Sequence, residues 1–141
     1  MDSTYRIGVT IKKISTHIAT EINKILRDYD LTKSQADVLR YVASQEKEVS
    51  QRDIEDFFGI SNPTVSGIVK RLEYKGLIVR ENSFTDARIK YIKKTAKADA
   101  LLIRIRHAVD DKEKALKAGL TEVEEKQLYD LLQRLLVNLN G

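Results

Sequence analysis

The stretch "FFGISNPTVSGIVKRLEYKGLIVRE", residues 57–81, holds Pro63, the only proline among 141 residues, just ahead of a run that otherwise reads as helix. Inside a helix a proline removes a hydrogen bond and clashes with the preceding turn, costing about 3 kcal/mol. At the first helical position it costs almost nothing, because that N–H has no intrahelical partner. The flanking residues select the second arrangement. Asn62 or Ser61 can cap the first turn, and Val65, Ile68, Val69 and Leu72 follow at helical spacing. At the far end Gly76 suits a left-handed residue, with Leu72 and Leu77 placed for the apolar contact of a Schellman stop. The spacing predicts a helix over Pro63–Lys75.

The opposite face of that helix carries the chemistry. Asn62, Pro63, Ser66, Gly67 and Lys70 share it, flanked by Thr64, Arg71 and Tyr74. An ordinary solvated face mixes both charge signs, whereas Glu73 is the only acid here. Upstream, Ser50-Gln51-Arg52-Asp53 has the form of a capping box. Ile54, Phe57 and Phe58 follow, and Gly59 ends that short helix. Two helices joined by a tight glycine-containing turn outline a helix-turn-helix, whose second helix enters the DNA major groove.

Charge supports this reading. The chain carries +4 overall. Between Ser61 and Lys97 there are nine basic residues (Lys70, Arg71, Lys75, Arg80, Arg88, Lys90, Lys93, Lys94 and Lys97) against Glu73, Glu81 and Asp86. That segment therefore holds +6, and the remainder −2. Positive charge concentrated around a candidate recognition helix is the footprint of a DNA-binding surface.

Working outward, "LIVRE" and "RIKYIKK" are rich in β-branched residues and flank the polar loop "NSFTDA". They read as a two-stranded hairpin, the wing of a winged helix. Ile7, Ile11, Ile14, Ile18, Ile22 and Ile25 define a long amphipathic first helix. Asp30 or Thr32 begins a second helix over Lys33–Gln45, Thr32 and Gln35 having the form of a capping box. After Thr95 a long helix runs toward Lys117, and Gly119 breaks it. Thr121 and Glu124 then cap a last helix with the stripe Leu128, Leu131, Leu132, Leu135 and Leu139.

The expected fold is mostly α with a small β element (α+β): a winged helix-turn-helix over 31–95, with helical segments over 1–30 and 96–141. These terminal helices carry more apolar surface than a small domain can cover. The expectation is a homodimer sealed by Ile7, Ile11, Ile14, Ile18 and the five leucines, rather than a monomeric bundle. A symmetric dimer presents two recognition helices about one DNA turn apart, matching a pseudo-palindromic operator.

Other functions find little footing. With no cysteine, disulfides, thiolate zinc sites and thiol redox sensing are excluded. Only His17 and His107 are present, on different predicted helices and without metal-ligand spacing. No phosphate loop, nucleophile elbow or catalytic carboxylate pair is found; Glu124-Glu125 and Asp110-Asp111 read as solvated helix surface. The expectation is no enzyme, metal or cofactor. The apolar residues of the N-terminus are interrupted by Asp2, Arg6, Lys12 and Lys13, unlike a signal peptide or membrane span. A cytoplasmic protein is expected.

The chain resembles the multiple antibiotic resistance regulator (MarR) family of winged-helix transcriptional regulators over nearly its full length. The most specific parts are "ISNPTVSGIVKRLEYKGLIVR" and "DARIKYIKKT", where Asp86, Arg88 and Thr95 fit the family's wing pattern. The resemblance implies a repressor whose Asn62, Thr64, Ser66 and Lys70 face the major groove while Arg88 reaches the minor groove. With the residues around them, the candidate DNA-binding set is Ser61, Asn62, Pro63, Thr64, Ser66, Gly67, Lys70, Arg71, Arg88 and Lys90. The resemblance also brings in a small-molecule effector, commonly aromatic or anionic, that releases DNA. Gly67 stands where the family often has arginine, Lys94 replaces an apolar residue before Thr95, and Phe84 places an aromatic at the wing tip. The competing reading is a winged helix used as a protein-interaction module, for which a basic recognition surface has no purpose.

Overall fold

A computed structural model describes residues 5–141; residues 1–4 of the expected helical region over 1–30 lie outside them. In chain order the elements are α1 (Ile7–Asp28), α2 (Lys33–Ser44), β1 (Val49–Ser50), α3 (Gln51–Phe58), α4 (Asn62–Tyr74), β2 (Ile78–Asn82), β3 (Lys90–Lys94), α5 (Ala96–Leu116) and α6 (Glu122–Asn140). They fall into two units, one reaching to Ala108 and the other Val109–Gly141.

The first unit is the winged helix, led into by α1. Its most deeply buried side chains include Val38 and Leu39 from α2, Ile54 from α3, Val65, Val69 and Leu72 from α4, and Leu77 and Ile78 entering β2. These are the apolar positions of each amphipathic stripe, so the periodicity that defines each helix also defines the core. Phe57 does not join this core. It is 64% exposed and stacks on Tyr41 with ring centroids 4.3 Å apart, while Phe58 meets the same tyrosine edge-on. An eight-residue helix turns too few residues inward to bury two adjacent phenylalanines.

The ends of α4 obey the sequence with one adjustment. The helix begins at Asn62, so Pro63 occupies its second position. The cost is equally low there, since all of the first four N–H groups lack intrahelical partners. Ser61 has the extended cap backbone but makes no side-chain cap bond; its hydroxyl instead meets that of Thr64 at 3.0 Å. At the other end Gly76 adopts φ +74. The Leu77 N–H donates to the Leu72 carbonyl at 3.0 Å and the Gly76 N–H to that of Glu73 at 2.9 Å, which is the Schellman pair.

That terminus is held from two further sides. The Thr95 hydroxyl donates to the Gly76 carbonyl at 2.7 Å and accepts from the Ala98 N–H at 3.2 Å, so one residue caps α5 and secures the end of α4. The Lys75 ammonium donates to the buried Gln35 amide oxygen at 2.9 Å and to the Asp30 carbonyl. Asp30 has a positive φ of 55, which turns the chain between α1 and α2 so that its carbonyl faces Lys75.

The sheet has three strands in the order β1-β3-β2, all antiparallel. The hairpin β2–β3 is legible as period-two sequence; β1 is not. It is only two residues long and leads directly into the Ser50 capping box, whose Asp53 N–H donates to the Ser50 hydroxyl at 3.1 Å. Lys94, unusual before Thr95, pairs with Asp99 at 2.7 Å across the start of α5.

In the second unit Gly119 takes φ +89 between α5 and α6, and Lys117 pairs with Glu125 at 2.8 Å. Thr121 and Glu124 form a full capping box, whose backbone and hydroxyl donors hold the Glu124 carboxyl below the usual carboxylate range. None of the α6 side chains is buried in the single chain.

Candidate nucleic-acid interface

The apolar stripe of α4 faces inward, which forces the opposite face into solvent. Ser61, Asn62, Pro63, Thr64, Gly67, Lys70 and Arg71 are exposed, and Ser66 is half-buried. At Gly67 an added Cβ would meet nothing within 4 Å, so this point of the helix is open. Glu73, the one acid of the helix, is drawn to the wing: its carboxylate lies 3.5 Å from the Arg80 guanidinium.

The wing loop is organised by two side chains. The Ser83 hydroxyl accepts from the Thr85 and Asp86 N–H groups at 3.2 and 3.3 Å. Asp86 grips Arg88 with both oxygens, accepting from Nε and Nη2 at 3.1 Å each, and accepts the Arg88 N–H at 3.0 Å. The guanidinium and backbone donor of Arg88 hold the Asp86 carboxyl below its ordinary range. The sequence pattern has Arg88 opening the second wing strand, with Asp86 beside it on an extended chain. Instead β3 starts at Lys90, and the two residues meet through a turn closed by the Ile89 N–H on the Asp86 carbonyl at 3.0 Å. The outcome for the guanidinium is the same: it is oriented by Asp86 yet 90% exposed. Phe84, at the tip, is fully exposed.

Helix and wing share a cleft of about 700 Å³ lined by Asn62 of α4, Arg88, Ile89 and Lys90 of the wing, Arg80 and Ile92 of the sheet, and Ser50, Gln51, Arg52, Glu55 and Asp56. The structure thus brings Asn62 together with Arg88 and Lys90, while Lys70 and Arg71 lie further along α4. Arg52 escapes the sequence reading, because it sits in a capping box ahead of the segment where basic residues cluster. Arg80 counts toward that cluster, but nothing in the sequence points it into a cleft.

The nine basic residues of the segment divide into three groups. Lys75, Arg80, Arg88, Lys93 and Lys94 are ion-paired. Lys97 donates to the Lys75 carbonyl at 2.7 Å, while Lys70, Arg71 and Lys90 form no ion pair among the described residues, leaving three exposed cations on the helix and wing. Among the described residues no group of three or more His, Asp or Glu side chains is arranged to hold a metal, and no helix is long and apolar enough to cross a membrane.

Comparison with known proteins agrees with this geometry. The sequence model of the MarR family matches residues 29–89. The chain is 30% identical over 129 residues to the HTH-type transcriptional regulator FarR of Neisseria gonorrhoeae, covering 92% of this chain and 88% of that protein. Its structure is similar to that of MepR, a transcription regulator of the Staphylococcus aureus multidrug efflux pump MepA, with a TM-score of 0.87, 28% identity and coverage of 96% and 99% of the two chains. A MepR mutant bound to an oligodeoxyribonucleotide is also similar, with a TM-score of 0.79, 29% identity and the same coverage.

Proposed function

The chain belongs to the MarR family of winged-helix transcriptional regulators, and from that premise we propose that it is a homodimeric repressor of a pseudo-palindromic operator. In this reading α4 enters the major groove and the wing follows the adjacent minor groove. The observation that carries it is the set of exposed, unpaired cations Lys70, Arg71 and Lys90 on the surface that also presents Asn62, Gly67 and Arg88. Unpaired cations release counterions from phosphates on binding, so affinity should fall steeply with salt. The test is footprinting on DNA upstream of the protein's own gene across a salt series. A protected two-fold site with a negative salt slope is expected. Binding to no duplex at any salt would favour the interaction module.

Arg88 offers a narrower test. A guanidinium suits the enhanced negative potential of a narrow A·T-rich minor groove. Replacing Arg88 by Ala should weaken operator binding by roughly 1–3 kcal/mol and flatten the salt slope by about one unit for each phosphate left unneutralised. Its solvent-exposed pairing with Asp86 contributes little to the fold, so thermal stability should barely move. Unchanged affinity and slope would remove the wing from the interface.

Dimerisation is proposed through residues 1–30 and 96–141, with DNA binding in 31–95. Ile7, Ile11, Ile14 and Ile18 are between 37% and 55% exposed on the single chain. Leu128, Leu131, Leu132, Leu135 and Leu139 are exposed as well. Contiguous apolar stripes of this kind mark protein–protein surfaces. Sedimentation equilibrium should give a mass near twice 16.1 kDa; a monomer at tens of micromolar would refute both dimer and two-fold operator. Release of DNA by a small aromatic or anionic effector completes the reading and rests on the family resemblance.

A further inference from the structure

We propose that Asn62 reads an adenine in the major groove, and that Glu55 is the positioning residue that sets its amide for that base. The inference rests on the DNA-binding reading above and adds to it one base and the side chain that selects it. Asn62 is the first residue of α4, and N-terminal residues of a recognition helix are those that contact base edges. It is exposed, yet its amide is already engaged: Nδ2 donates to Glu55 Oε2 at 3.1 Å, from α4 back to α3. Both residues line the cleft shared with the wing.

The chemistry of the partner fixes the amide. An ionised carboxylate only accepts, so the NH₂ end of Asn62 must face Glu55 and Oδ1 must face away. The NH₂ group has two protons, and Glu55 takes one. The other can lie beside Oδ1, leaving an edge with one acceptor and one donor. Adenine is the base whose major-groove edge answers that pattern, with a donor at N6 and an acceptor at N7. Guanine offers two acceptors there, and Oδ1 would face one of them unpaired. Thymine offers one acceptor beside a methyl group, and cytosine a lone donor. An amide free to rotate would accept single bonds from several bases; an amide held by Glu55 discriminates.

The charge of Glu55 points the same way. It stands beside Asp56 in a cleft whose other charged lining residues are Arg52, Arg80, Arg88 and Lys90. A carboxylate there opposes phosphate binding, which disfavours duplexes of any sequence. Glu55 therefore lowers general affinity while raising discrimination, a combination that a purely structural residue does not produce.

The test uses the full-length protein. A high-affinity duplex is first selected from a randomised pool, and each adenine is then replaced in turn by 7-deazaadenine, which lacks the N7 acceptor. Wild type should lose roughly 5- to 150-fold at one adenine per half-site, the range expected of a bidentate contact. Asn62→Ala should abolish the penalty at that adenine and keep it elsewhere. Glu55→Ala should shrink the same penalty severalfold, while affinity for unrelated duplex is unchanged or higher. Both positions lie outside the core, and circular dichroism is the check that the variants are folded. The inference is overturned if no adenine shows an N7 penalty dependent on Asn62, or if Glu55→Ala leaves that penalty intact. It also fails if Glu55→Ala lowers binding to all duplexes alike. Failure of wild type to bind any duplex overturns the DNA reading itself, and this inference with it.

Discussion

Replacing Gly67 by Glu should abolish specific DNA binding while leaving the protein folded and, if anything, more stable. An added Cβ at Gly67 meets nothing within 4 Å, and the backbone there is ordinary helix within α4. Glycine in a helix interior is worse than most residues by roughly 0.5–1 kcal/mol, so the substitution should raise the melting temperature slightly. Its carboxylate would nevertheless stand on the face shared with Asn62, Ser66 and Lys70. Like charge set against phosphates costs several kcal/mol, and the proposed dimer would meet it twice. Affinity should drop by about 100-fold or more at low salt. Gly67→Arg reverses the sign at the same position and restores the residue common in the family, so its binding should tighten. The pair separates charge from shape. Titration of both variants against the footprinted duplex, with thermal melts alongside, decides the matter. A Glu variant that binds like wild type would mean that α4 does not face DNA.

How far the sequence foretells this surface depends on the range over which each feature is encoded. Caps and stops are local, and they are legible: Ser50 with Asp53, Thr32 with Gln35, Thr121 with Glu124, and Gly76 after α4 all form as their spacing requires. Apolar stripes are legible for the same reason. Features that depend on two distant segments are not. β1 exists only because Val49 and Ser50 pair with Ile92 and Tyr91, and two residues carry no period of their own. The ammonium of Lys75 counts toward a basic footprint in the sequence, yet it turns inward to Gln35 and Asp30 across 40 residues or more of chain. Glu55 reads as one more polar residue on a short helix until Asn62 is folded against it. Charge composition counts the basic residues of the segment correctly. It cannot say that five are engaged in ion pairs, that Lys97 is turned to the Lys75 carbonyl, and that Lys70, Arg71 and Lys90 are left open.

Leu72→Ala should produce the opposite phenotype to Gly67→Glu: a large loss of stability with DNA binding retained wherever the protein is still folded. Leu72 is 0% exposed and belongs to the inward stripe of α4. Its carbonyl receives the Leu77 N–H at 3.0 Å, the bond that closes the Schellman stop, and Leu77 is buried as well. Truncation removes transfer energy and leaves a cavity, typically about 2–5 kcal/mol for a buried leucine. A further part of the cost arises because the end of α4 is tied onward: the Thr95 N–H donates to the Leu77 carbonyl at 3.1 Å. A domain of this size commonly has only about 5–15 kcal/mol in total, so the midpoint of denaturation should fall markedly. Comparison must be made at equal protomer concentration, since dimer stability depends on it. At low temperature, where the folded state still dominates, the exposed face of α4 is unchanged and the dissociation constant should stay within a few-fold of wild type. Gly67→Glu should fail at every temperature. A stability loss under about 1 kcal/mol for Leu72→Ala would place this side chain outside the core. The assignment of inward and outward faces, on which both predictions stand, would then have to be rotated about the helix axis.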